Sequence, residues 1–239
     1  MEGEGHKADR FVRLMFFQKE KQMITFCKDV DISRFEPVLF GELHLPSQVI
    51  ARGEAGRIEG TTFSDEAADF EASGAEAGGV IYVRSGDGTI DGLYEVVSVD
   101  SATQLTISII RAAGSDDVVV PAEGSDLVWR ISTLEAQSAE AAIKLCEMFG
   151  IRPGNPNSQY SAEDIVDAGG LRVTAVYMVL SIVYAALSSK AEDGMQSKSL
   201  YYEKECSKAL EVCRFSIDTD GDGDGDVSFS GGLIKLVRE

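Results

Sequence analysis

Between residues 49 and 132, glycines divide the chain into short runs rich in β-branched and aromatic side chains, and this pattern constrains the fold more than any other. The runs fall at residues 57–63, 80–84, 93–99, 105–111 and 127–131. Turn-forming residues separate them: Ser85, Gly86, Asp87 and Gly88 before the third run, Asp100, Ser101, Ala102 and Thr103 before the fourth. Short antiparallel strands with mostly local connections predict a small barrel or sandwich. Such a module either docks onto a partner or packs on its neighbour with no site of its own, and the runs suit both readings.

After Ser132 the hydrophobic period becomes helical. Leu134, Ala141, Leu145 and Met148 mark one face of a helix that stops at Gly150, before the rigid stretch Pro153, Gly154, Asn155 and Pro156. Ser161 with Asp164 forms a capping-box pattern, which predicts a long helix from there to about Ser189. It is apolar nearly all round from Val173, as expected of a central helix in a small bundle, and Gly169 and Gly170 either kink it or admit a close neighbour. A further helix spans about 196–214, with Leu200, Cys206, Leu210 and Cys213 inward. The first section is left open: Val12, Phe16, Met23, Cys27 and Val30 fit a helical face, yet residues 11–17 and 23–27 fit short strands equally well. Pro37 and Pro46 make residues 35–45 extended or irregular. The fold class is therefore α+β: a helical bundle domain, a small antiparallel β-barrel or sandwich domain and a C-terminal extended arm. The divisions are residues 1–48, 49–132, 133–216 and 217–239.

Composition narrows the function. With 239 residues, 44% apolar and 26% charged, the chain has the balance of a globular protein of one or two domains. Its net charge of −18 opposes phosphate backbones, and residues 51–132 alone carry 15 acidic against 5 basic side chains. Cys27, Cys146, Cys206 and Cys213 lack metal-ligand spacing and read as reduced core residues. The polar N-terminus predicts no export signal, and the apolar run 173–187 falls short of a membrane span. Only His6 and His44 are present, no nucleophile–base pairing or phosphate-binding glycine motif is visible, and the chain is not expected to be an enzyme.

The alternating tract from Asp218 to Asp226 is the one candidate site. Counted from Asp218 on a calcium-loop template, Asp218, Asp220, Asp222 and Asp226 occupy positions 1, 3, 5 and 9, with Gly223 at 6. Position 12 is Phe229; counted from Asp220, Ser228 stands at 9 and Gly231 at 12. The bidentate ligand is missing in both frames. Two readings stay open: a weak, partly hydrated calcium site formed by Asp218, Asp220, Asp222 and Asp226, or a polar turn with no cofactor. The terminal run Leu233, Ile234, Lys235, Leu236, Val237 and Arg238 suits strand addition, to its own chain or to a partner's sheet edge.

The order of these segments resembles a known family. Gly60, Thr61, Thr62 and Phe63 with Asp69 and Phe70, then Gly79, Val80 and Ile81, then Gly92, Leu93, Tyr94, Glu95 and Val96, look like inserted β modules of tailed-phage neck proteins. More specifically, Tyr201, Tyr202, Glu203 and Lys204 lead into Lys208, Ala209 and Leu210, then Ile217 and the Asp/Gly tract, then Val237 and Arg238. That order resembles head-to-tail adaptor (connector) proteins of tailed phages over residues 133–239. The resemblance implies a structural virion protein of the neck: a homo-oligomeric ring of twelve subunits mounted beneath the portal protein. Downstream tail or neck proteins follow it, and DNA passes through the channel without specific binding or any membrane role. It also implies that residues 233–238 form the arm that meets the portal. The alternatives are a tail-completion or tail-tube subunit, or a non-viral calcium-stabilised binding module.

Overall fold

A computed structural model of the chain describes residues 24–231 except 154, 156 and 190–193; the arm residues Leu233, Ile234, Lys235, Leu236, Val237 and Arg238 lie outside that set. The fold is α+β, with a closed antiparallel barrel beside a group of helices. The barrel strands are β1 (Val49–Glu59), β2 (Thr62–Ser64), β3 (Val80–Arg84), β4 (Asp91–Ser101), β5 (Gln104–Ile109) and β6 (Gly124–Ser132), ordered β1-β2-β5-β4-β3-β6. Strand alternation puts Ile58, Phe63, Ile81, Val96, Leu105, Ile107, Leu127 and Ile131 inside, each at most 2% exposed. Phe70 of the short helix α2 (Phe70–Ser73) plugs the interior against Phe63 and Trp129. The Trp129 indole N–H donates to Asp65 Oδ2 at 2.7 Å, so its one polar atom is satisfied in the core.

The five runs expected from sequence become six strands. The run at residues 57–63 divides between β1 and β2, which pair as a hairpin across Gly60 (φ 57°) and Thr61. After Val49 and Ile50, β1 carries no β-branched or aromatic residue until Ile58, yet it pairs with β6 through register shifts around Gly53 and Gly56. Those glycines are required by the core. A Cβ at Gly53 would stand 2.6 Å from Trp129 Nε1, and one at Gly56 2.7 Å from the Phe63 ring.

The other elements are α1 (Asp29–Ser33), α3 (Glu135–Met148), α4 (Arg172–Leu187), α5 (Gly194–Val212) and the hairpin β7 (Arg214–Ile217) with β8 (Val227–Ser230). Helix α4 packs against both α3 and α5. Ser161 and Asp164 do form a reciprocal capping box, but it caps a single 3-10 turn, Ala162–Asp164. Ile165 then bridges to Ile217 and a second 3-10 turn, Ala168–Leu171, precedes α4, so the expected long helix begins about ten residues later than its capping box suggests. With that lead-in the apolar stretch Ala168–Leu187 is 20 residues, long and apolar enough to cross a membrane, and half of it is buried within the protein. Two side chains expected to face inward do not: Met148 and Leu200 are exposed, and Ser199, Tyr202 and Cys206 form the buried face of α5. The section that fits helix and strand equally well holds α1, and residues 35–45, expected to be extended or irregular, hold a 3-10 turn at Pro37–Leu39.

Gly170 is where the hairpin meets the helices. A Cβ there would collide with the Arg214 carbonyl oxygen, whereas one at Gly169 meets open space. Gly170→Ala is expected to cost roughly 1–3 kcal/mol of stability, while Gly169→Ala leaves the urea midpoint nearly unchanged. Denaturation of the two variants side by side measures the difference.

Asp29 joins the barrel end to α3, accepting the Leu134 N–H at 2.8 Å. Its residue surface is partly accessible, but the carboxylate is closely enclosed; that burial, aided by nearby Glu76 and Glu135, pushes its pKa up to about 6. A raised folded-state pKa favours folding fully below the unfolded value near 4, and that contribution is lost as pH rises through about 6. Asp29→Asn keeps a carbonyl acceptor and removes the charge. Relative to this variant, the wild type should lose on the order of 2 kcal/mol between pH 4 and pH 7, read from melting curves across that range.

Candidate functional site

The acidic tract is the loop joining β7 to β8, and its glycines let the chain fold back on its own carboxylates. Gly221 (φ 81°) and Gly223 (φ 91°) take the left-handed conformation that side chains disfavour. Asp218 sits at the base of the loop. Its Oδ1 accepts the N–H groups of Asp220 (3.1 Å) and Gly221 (2.7 Å), and its Oδ2 that of Gly223 (2.8 Å). Asp220 accepts from Asp222 N–H and Asp222 from Asp224 N–H, so each turn is closed by the preceding aspartate. The base is anchored to the helical part: Asp218 N–H donates to the Asp164 carbonyl at 2.9 Å, and Val166 N–H to the Ser216 carbonyl at 3.1 Å.

Of the four predicted ligands, the fold brings three together. Asp218, Asp220 and Asp222 each direct one carboxylate oxygen into a cluster whose members lie within 4.8 Å of one another. Asp226 is engaged elsewhere, accepting from Thr219 through N–H (2.8 Å) and Oγ1 (2.6 Å), a bond that closes the neck of the loop. Backbone N–H groups of Gly223 and Gly221 hold the Asp218 carboxyl below its ordinary range, and the bonds from Thr219 do the same for Asp226. All-oxygen donors suit a hard cation such as calcium. A carboxylate has about four lone-pair sites, and Asp218 gives three of its own to the backbone, so the loop is largely satisfied by itself.

Two charged clusters were not legible beforehand. Glu36 accepts both contacts of Lys198 Nζ (2.8 Å each) and the Tyr202 hydroxyl (2.6 Å), while Lys198 also donates to Tyr184 Oη at 3.0 Å. Burial alone would raise Glu36, but the hydrogen bonds from Lys198, Tyr202 and Tyr184 outweigh it and bring its pKa below the ordinary value. In the barrel, Arg111 clasps Glu95 through Nε (3.1 Å) and a terminal nitrogen (2.7 Å), and donates to the Asp116 carbonyl. Both pairs span sequence gaps that no local pattern reveals, and both tie elements together.

No family model, curated protein or solved structure matches this chain.

The geometry sets an expectation for the tract. Calcium titration at neutral pH should give a dissociation constant on the order of 10⁻³ M or weaker and a small rise in melting temperature, both abolished by Asp218→Asn. Because the Asp218 and Asp226 pKa values are lowered on folding, the loop's order is present above the usual carboxylate range and lost as pH falls through their folded values, so the calcium response should fade in acid. Calorimetry with a parallel melting series checks both; a silent titration removes the ion reading.

Proposed function

We propose that this chain is a non-enzymatic structural subunit of a tailed-phage neck, a head-to-tail adaptor whose helical bundle builds a ring that continues the DNA channel from the portal. The observation that carries the reading is the unbroken succession α5–β7–acidic loop–β8. The helix bearing Tyr201, Tyr202, Glu203 and Lys204 ends at Val212, and β7 begins at Arg214 with only Cys213 between them. The hairpin that follows is fastened to the helices by Phe149, which packs edge-on against Phe215 at 4.7 Å and Phe229 at 6.4 Å, while Phe215 and Phe229 stack on each other across the hairpin. Gly231 N–H donates to the Cys213 carbonyl at 2.9 Å, so the chain leaves this hairpin beside the end of α5. A short rigid hairpin gives a terminal arm a defined point of departure, and the net charge of −18 suits a channel wall that forms no phosphate contacts with passing DNA.

On this reading the arm at residues 233–238 meets the portal by strand addition. Calcium, where it binds, braces the turn that launches the arm. Ser230 pairs with Arg214, so a truncation that spares the hairpin stops after Gly231. The shortened protein should keep its melting transition and lose attachment to DNA-filled, portal-bearing heads in a sedimentation assay. Undiminished attachment would sink the arm assignment.

A further inference from the structure

Two helices pack against α4, and each carries an exposed stripe whose chemistry the other complements. On α3, Ala136, Glu140, Ile143 and Glu147 follow helical spacing and all are exposed, with Ile143 at 42%. On α5, Tyr201, Lys204, Lys208 and Val212 do the same, with Tyr201 at 57% and Val212 at 77%. The first stripe is apolar at its middle and acidic on either side. The second is basic at its middle and apolar at both ends, and Tyr177 with the exposed Phe35 continues its apolar surface through a chain of ring contacts. The opposite flank of α5 carries Glu203, Ser207 and Glu211; on this side the half-buried Glu205 pairs with Lys208, which leaves Lys204 as the uncommitted cation of the stripe.

We infer that these stripes are the two halves of one contact between copies of this chain, α3 of one subunit lying along α5 of the next. The inference rests on the ring reading above and names the surfaces that would build it. At 1.5 Å per residue, Glu140 and Glu147 stand about 10 Å apart and Lys204 and Lys208 about 6 Å apart. Ile143 therefore seats between the two lysines, and each ammonium reaches outward to one carboxylate. The existing partners are easily exchanged: Lys208 with Glu205 (2.5 Å) and Lys144 with Glu140 (3.2 Å) are exposed pairs within single helices. Because the stripes lie on two different helices, the contact is head-to-tail, the geometry that closes into rings. A stripe on so acidic a chain repels another copy unless a basic surface faces it, and α5 supplies one.

Charge exchange in the full-length protein tests this by mass photometry across a concentration series. Lys204→Glu with Lys208→Glu should raise the concentration needed for assembly by about tenfold or more, and Glu140→Lys with Glu147→Lys should do the same. All four changes in one chain should restore assembly, since every contact then pairs opposite charges again. A second measurement does not depend on charge. The native cysteines are all buried, so chains carrying Ile143→Cys mixed with chains carrying Lys204→Cys should form a disulfide-linked dimer absent from either variant alone. Assembly that ignores the exchanges, or no dimer specific to the mixture, overturns this interface and leaves the ring reading standing. The second of those results is also the one expected if residues 1–23 of the same chain cover the α5 stripe. Protein that stays monomeric at every concentration and on portal-bearing heads overturns both.

Discussion

The stretch from Lys28 to Glu36 is where the barrel and the helices become one body, and its polar side chains do the joining. Lys28 Nζ donates to the Ala77 carbonyl and Val30 N–H to that of Gly78, which holds the barrel's β3 entrance. Asp29 takes the Leu134 N–H at the point where β6 gives way to α3, and Arg34 reaches the Arg111 carbonyl just past the end of β5. Glu36 then closes the set on α4 and α5 through Lys198, Tyr184 and Tyr202. Losing the Tyr202 hydroxyl would leave the buried Glu36 carboxylate short of a partner, a cost larger than the net value of the bond itself. Ile32, fully buried in the helical core, gives the same segment its apolar anchor.

That joining shapes what the rest of the surface can do. The barrel interior is filled by Phe63, Phe70 and Trp129 in edge-on and tilted contact, so the barrel is a solid module and not a ligand cup. The acidic loop is held at its base by Asp164 and Val166 and at its neck by Thr219, so its carboxylates are ordered by backbone bonds before any ion arrives. Exposed apolar side chains lie outside these two filled regions, at Ile143, Tyr201 and Val212 on the helices and at Ile109, Val118, Val119, Val120 and Val128 on the barrel.

Much of this was legible in the residues because the governing forces are local. Alternation of β-branched residues marked β3, β4, β5 and β6, and Gly150 and the Ser161 and Asp164 pair marked a helix stop and a helical turn. The errors fall where a distant group decides. The first half of β1 looks unlike a strand because Gly53 and Gly56 make room for Trp129 and Phe63, which arrive from other strands. On α5, Cys206 and Cys213 are inward as expected, but Leu200 stands about 120° round the helix from Cys206 and is exposed, while Tyr202 is held inward by Glu36 from a distant part of the chain. Asp226 was counted as a ligand by spacing alone, while Thr219 lay closer to it than any cluster of carboxylates.

By itself, then, the sequence determined the α+β alternation, the position of the barrel, the reduced character of the cysteines and the glycine-rich turning of the acidic tract. Each of these follows from side-chain periodicity or from backbone freedom within a few residues. Tertiary structure alone decided that the barrel closes through six strands, that three aspartates and not four converge, and that Glu36 and Lys198 meet 162 residues apart. It also packed both α3 and α5 against α4. These outcomes depend on pairings between remote segments, whose free energy is realised only once the chain has folded and shut water out between them.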